Sequence, residues 1–177
     1  LHWAAEGGHD KVVTHLLSAS PTLISEWTFN GYTTLHLAAK GGHGKVVTQL
    51  LSASPKLISE VTYYGETALH LAAREGHDKV VNQLLAASPN LIYAVTRDGY
   101  TPLHLAAEEG HGKVVAQLLA ARPTLISVPT FAGYTALHLA ARGGHGKVVN
   151  QLLAASPTLI SAVTNDGYTP LHLAAWK

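Results

Sequence analysis

The hydrophobic positions of this chain follow a pattern of helical spacing that recurs along its whole length. In residues 31–64, Leu35, Ala38 and Ala39 share one helix face, and residues 46–51 carry the order Val-Val-x-x-Leu-Leu. This spacing predicts a short first helix and a more apolar second helix of roughly ten residues. A glycine-rich polar turn separates the two.

Turn-forming residues set the expected limits of both helices. Thr33 has the side-chain oxygen of a good N-cap, and Gly41-Gly42 can adopt the positive φ that ends a helix. Pro102 occupies the position after the capping threonine in its copy, where proline is tolerated. Pro55 cannot continue the second helix, which therefore ends before it.

The segment after the proline is expected to carry the chain to the next unit. Leu57-Ile58 predicts an extended return, and the Asp98-Gly99 step of a later copy is a hairpin signal. Each unit therefore consists of helix, turn, helix and a projecting hairpin-like loop.

The pattern returns every 34 residues, as the recurring Leu-His pair shows. Such a period predicts a single all-α repeat solenoid, in which each unit buries its apolar face against its neighbours. Four complete repeats are flanked by partial terminal ones, with expected bounds 1–30, 31–64, 65–98, 99–132, 133–166 and 167–177. Because the chain begins and ends inside a repeat, it is expected to be an excerpt from a longer array.

Composition disfavours several classes of partner. Charged residues make up 13% of the chain and the formal net charge is +1, so no strong field attracts nucleic acid or an anionic membrane. Apolar runs are too short for membrane insertion. Cysteine is absent, which removes disulfides and thiolate sites but leaves the compartment unknown.

The chain resembles the ankyrin repeat over its whole length. The resemblance rests on the sequence motifs TPLHLAA and GH-x-x-VV-x-x-LL and on the order helix, turn, helix and hairpin. The tetratricopeptide repeat shares the period of 34 but has a Trp and Tyr signature that is absent here. The departure from the family is length, since ankyrin units are usually one residue shorter. The resemblance implies a protein-binding scaffold and slightly favours an intracellular location.

The many histidines raise the question of a metal site or a catalytic centre. By resemblance, the first His of each repeat bonds to Thr and a neighbouring turn, and the second packs in the interhelical turn. No metal, cofactor or phosphate loop is expected, because repeated side chains stand a repeat apart instead of converging. Three polar residues depart from the repeat pattern, namely His15, Tyr93 and Arg122. They fall in different parts of the unit and are expected to form no set. Because catalysis needs dissimilar groups gathered at one place, the chain is not expected to be an enzyme.

Positions that differ between copies point to the binding surface. They cluster at the hairpin tips, after the turn glycine and at the end of the first helix. In the last copy, Trp176-Lys177 occupy the positions at the end of the first helix. In the ankyrin family these places line a concave groove, and Tyr and Phe are typical interface anchors. The expected contacts with a protein or peptide are Phe29, Tyr32, Lys40, Tyr63, Tyr64, Glu66, Arg74, Arg97, Tyr100, Glu108, Phe131, Tyr134, Arg142 and Tyr168.

Three alternatives remain open from the sequence alone. The chain could be an engineered, consensus-derived binder, the targeting module of a larger enzyme or effector, or a spacer. Replacing Tyr100 and Tyr134 with Ala is expected to weaken binding without lowering thermal stability. Leu171 and Leu173 lack a covering second helix, which predicts fraying or end-to-end self-association there.

Overall fold

The computed structural model describes residues 1–175, so Trp176 and Lys177, two of the variable positions, lie outside the described residues. Helices alternate in length along the chain as the pattern predicts. The shorter first helices are α1 (His2–Glu6), α3 (Thr34–Lys40), α5 (Ala68–Arg74), α7 (Pro102–Glu108), α9 (Ala136–Gly143) and α11 (Pro170–Ala174). The second helices are α2 (Asp10–Ala19), α4 (Gly44–Ala53), α6 (Asp78–Ala87), α8 (Gly112–Ala121) and α10 (Gly146–Ala155).

The limits of the first helices follow the predicted capping residues. Thr33 caps α3, where its Oγ1 accepts the His36 N–H while His36 Nδ1 accepts the Thr33 N–H. At the other end of the helix, Gly42 takes the left-handed conformation at φ +75° and Gly41 does not. The capping prediction is therefore confirmed, with the left-handed conformation assigned to the second glycine.

The segment after each second helix differs from the prediction. Residues after the proline form a short 3₁₀ helix and not the expected extended return. Proline fixes φ near the helical value, and Ser54 before it is extended, so the chain turns into a new short helix at Pro55. These 3₁₀ helices are Pro21–Ser25, Pro55–Ser59, Pro89–Tyr93, Pro123–Ser127 and Pro157–Ser161.

Consecutive helix pairs stack into one continuous apolar core. The first helices contribute fully buried alanines, such as Ala38 and Ala39, and the second helices contribute larger residues such as Val47 and Leu50. Small side chains allow close approach, so neighbouring first helices pack more closely than neighbouring second helices do.

The last described repeat exposes part of this core. Leu171 is 74% exposed, whereas Leu137 at the same position one repeat earlier is buried. Leu173, in contrast, is buried. Beside Leu171 lies an apolar cavity of 280 Å³ that Val149 and Leu153 also line. Association of two molecules through such end faces stays a prediction that concentration-dependent light scattering tests.

Candidate functional site

The hairpin-like tips form one continuous row. In the first tip, the Gly31 N–H donates to Thr28 O and the Thr28 N–H donates to Tyr32 O, each at 2.9 Å. Each tip is also bonded to the next: the Arg97 N–H donates to Tyr64 O at 3.0 Å. The equivalent links are Tyr63 to Asn30, Phe131 to Asp98 and Asn165 to Ala132, with separations of 3.1–3.4 Å. These backbone bonds keep the variable tip side chains in register.

Two of the aromatic tip residues cover the preceding turn. A Cβ added to Gly31 would lie 2.8 Å from the Tyr63 ring, and one added to Gly99 would lie 2.7 Å from the Phe131 ring. Both rings nevertheless remain more than half exposed, and Phe29, at the first tip, is 93% exposed. Tyr63 and Phe131 thus combine a fixed position with exposed ring surface.

Where a tyrosine follows the turn glycine, it is half-buried and packs edge-on against a histidine. The ring centroids of Tyr100 and His104 are 6.0 Å apart, and those of Tyr134 and His138 are 6.1 Å apart. Such contacts contribute about 0.5–1.5 kcal/mol. Replacing these tyrosines with Ala removes this packing, so we now expect a loss of stability beside any effect on binding.

The first histidine links its own helix cap to the turn of the next repeat at His36, His70 and His138. His70 Nδ1 accepts the Thr67 N–H at 3.1 Å, so Nε2 carries the proton and donates to Tyr100 O at 3.0 Å. Burial disfavours the charged ring and lowers the pKa of His70 to about 4. Burial lowers the pKa of His36 and His104 in the same way, so these three histidines are neutral structural groups near pH 7.

The second histidine of a repeat points back to the preceding repeat. His43 Nε2 donates to Glu6 O at 2.8 Å, and His77 Nε2 donates to Lys40 O at the same distance. Together, the two histidines join a repeat to both neighbours. Within residues 1–175, no group of three or more His, Asp or Glu side chains is arranged to hold a metal ion.

Within residues 1–175, two ion pairs lie beside the row of tips. Arg74 pairs with Glu66 within one repeat, and Arg142 pairs with Glu108 across two, each with a nitrogen–oxygen separation of 2.5 Å. The Arg142 guanidinium also lies 5.4 Å from the Tyr134 ring centroid. Burial opposes its charge, but Glu108 and Tyr100 together outweigh that effect and raise the pKa of Arg142. These arginines are consequently held in defined positions on the face.

The expected contact residues differ in their accessibility. Six are exposed, namely Phe29, Lys40, Tyr63, Tyr64, Arg97 and Phe131. Seven are half-buried, namely Tyr32, Arg74, Tyr100, Glu108, Tyr134, Arg142 and Tyr168. Glu66 is buried, and its carboxylate holds Arg74. Glu66 therefore positions a neighbouring side chain and offers little surface of its own.

One pairing outside this face was missed in the sequence. The Arg122 guanidinium lies 5.0 Å from the Tyr93 ring centroid, so the expectation that the irregular residues form no set was wrong for these two. His15 lies apart on the exposed surface of α2, where its Nδ1 bonds to Lys11 O. The available signal was that Tyr93 and Arg122 both replace a serine that most other copies carry.

Comparison with known proteins agrees with the repeat geometry. No individual curated protein matches the chain. The family model described as ankyrin repeats in three copies matches residues 1–93, 65–127 and 124–177. The chain therefore belongs to the ankyrin repeat family.

Proposed function

We propose that this chain is a non-enzymatic scaffold that binds a protein or peptide on the concave face formed by its hairpin tips and first helices. Ankyrin repeats generally act as protein–protein interaction modules. The observation that carries the proposal is the row of hydrogen-bonded tips, which presents Phe29, Tyr63, Tyr64 and Phe131 in register with their rings exposed. Rigid aromatic side chains bind at low entropic cost.

The spacing of the repeats favours an extended partner segment. Packed helices stand about 8–10 Å apart, and an extended chain advances about 3.3 Å per residue. Roughly every third residue of such a segment would therefore meet a new repeat. Because acidic and basic side chains alternate on this face, a nucleic acid backbone would meet repulsion beside attraction.

Within residues 1–175, no helix has both the length and the apolar character needed to cross a membrane.

The array could still be an engineered binder or the targeting module of a larger enzyme or effector, since either protein would use the same binding face. The full-length reading frame distinguishes them.

A pull-down followed by calorimetry tests the proposal. Proteins retained by the array are purified and titrated against the original chain and a variant with Ala at Phe29, Tyr63, Tyr64 and Phe131. We expect the variant to bind at least about tenfold more weakly, since aromatic anchors dominate interface energies.

The matched control changes the opposite side of the molecule. Asn82, Lys113 and Asn150 are exposed on second helices, and replacing all three with Ala is expected to leave the affinity unchanged. Equal affinity of the tip variant and the original chain would contradict the proposed face. A chain that retains no protein at all would favour the spacer alternative.

A further inference from the structure

The concave face contains a polar depression between two successive tips. It has a volume of 290 Å³, with Tyr64 and Asp98 from the tips and Tyr100 from the position after the turn glycine. Leu105 and Thr96, both buried, contribute to its lining. The depression is large enough for a long side chain and opens on the surface to which the proposed function assigns the partner.

The charges around this depression do not balance. Glu66 is paired with Arg74, and Glu108 is paired with Arg142 of the next repeat. Asp98 is exposed and belongs to neither of the two ion pairs found in residues 1–175. Among the residues that line the depression, three are carboxylates and one, Arg74, is a guanidinium, and Arg142 reaches Glu108 from outside the lining. Arg97, the neighbour of Asp98 in the chain, does not line it, so the lining keeps an excess of negative charge.

Asp98 is also held in place by its backbone. Its carbonyl oxygen accepts the Phe131 N–H at 3.2 Å, which fixes the tip that carries the carboxylate. The neighbouring aromatic groups suit a cation, because tyrosine faces attract guanidinium and ammonium groups. The chain already uses this pairing internally, with Arg142 on Tyr134 and Arg122 on Tyr93.

We propose that this depression binds one Lys or Arg side chain of the partner, placed between Tyr64 and Tyr100 with its charge directed to Asp98. The inference rests on the proposed function and specifies the partner chemistry at one position of the face. A metal ion is a poor occupant, because residues 1–175 contain no cluster of His, Asp or Glu with ligand geometry. The ligand is therefore an organic cation on a side chain long enough to enter.

The neighbouring repeats do not share this charge. One repeat earlier, Tyr64 takes the place of Asp98, and one repeat later, Ala132 takes its place. Both changes remove the negative excess. A basic side chain is consequently selected at one position along the row, which would fix the register of an extended partner.

Titration with short peptides tests the inference without the natural partner. The probes are acetyl-Ala-Arg-Ala-amide and acetyl-Ala-Glu-Ala-amide, and the readout is the amide chemical shift of residues 96–100 at low ionic strength. We expect saturable shifts with the Arg probe alone. Asp98→Asn should raise its dissociation constant about threefold, as the loss of one partly screened ion pair requires.

Two further variants make the result specific. Asp166→Asn alters the same tip position two repeats away and is expected to leave the dissociation constant unchanged. The double variant Asp98→Asn/Glu108→Gln leaves Arg74 and Arg142 facing a single carboxylate and should bind the Glu probe in preference to the Arg probe.

The outcomes separate this inference from the proposed function. Absence of saturable shifts, or equal responses to both probes in the original chain, would overturn the cation site. Loss of partner binding in the tip-aromatic variant with unchanged binding in Asp98→Asn would also overturn it, while leaving the concave face intact as the binding surface.

Discussion

The guanidinium of Arg122 lies 5.0 Å from the ring centroid of Tyr93. Tyr93 ends one 3₁₀ helix and Arg122 follows α8 in the next repeat, so the contact joins neighbouring units on the side away from the tips. Other copies have serine at most of the corresponding positions. The pair is thus a local addition to the common frame of the array.

A double-mutant cycle measures the contribution of this pair to stability. Tyr93→Ser and Arg122→Ser introduce the residues of the sister copies, which the same backbone already accommodates. Since both side chains are partly exposed, we expect a coupling of about 0.5–1 kcal/mol in the free energy of unfolding by urea. Strictly additive effects of the two substitutions would show that the contact is energetically neutral.

The stability of the array should fall as the pH is lowered through the range in which free histidine becomes protonated. Burial lowers the pKa of His36, His70 and His104 to about 4, whereas the unfolded chain binds these protons near pH 6.5. Between these values the unfolded state holds more protons, so stability decreases as pH falls. Each ring accounts for a loss of roughly 3 kcal/mol at pH 4.

Urea unfolding at several pH values, together with NMR titration of the histidine rings, tests this linkage. The ring signals of the three histidines should stay those of the neutral form down to about pH 5 in the folded protein. Titration of these rings near pH 6.5, or a free energy of unfolding that is constant from pH 6.5 to pH 4, would contradict the prediction.

The glycine that ends each first helix should not tolerate a side chain. Gly110 has φ +79°, and an added Cβ would lie 2.5 Å from His145 Nδ1 of the next repeat. Gly110→Ala should therefore destabilise the array by at least about 1 kcal/mol, through backbone strain and loss of the histidine position.

Gly146 supplies the matched control for this substitution. It begins α10, has no left-handed φ, and has open space where a Cβ would stand. Gly146→Ala should raise stability by about 0.4–1 kcal/mol, because alanine reduces the entropy of the unfolded chain. Similar effects of the two substitutions in thermal melts would refute the role assigned to the turn.

The sequence predicted those features that repetition itself specifies. The cap at Thr33, the glycine turn and the ten-residue second helix all depend on local residue chemistry, and the structure confirms them. The 3₁₀ helix at Pro55 was missed because Leu57-Ile58 fits a buried helical turn and an extended strand equally well. The local sequence pattern does not distinguish a 3₁₀ helix from an extended strand at this point.

The charged part of the candidate site was harder to predict. Glu66 was taken as a surface contact because it varies between copies, yet Arg74 covers it. The pairing of Glu108 with Arg142 joins residues 34 positions apart, and one sequence does not specify which of several charges will meet. Variation within the repeat therefore predicts which positions form the face, and the three-dimensional contacts determine the charge that those positions present.

Leucines at the same position of different repeats should contribute differently to the free energy of unfolding, according to the residues that cover them. Leu103 is fully buried, and Leu171, at the same position two repeats later, is 74% exposed because no second helix covers it in the described residues. Leu103→Ala should lower the free energy of unfolding by roughly 2–5 kcal/mol through a buried cavity. Leu171→Ala should change it by less than about 0.5 kcal/mol. Equal losses in urea unfolding would mean that the end of the array is covered in solution, and light scattering would then show whether a second molecule covers it.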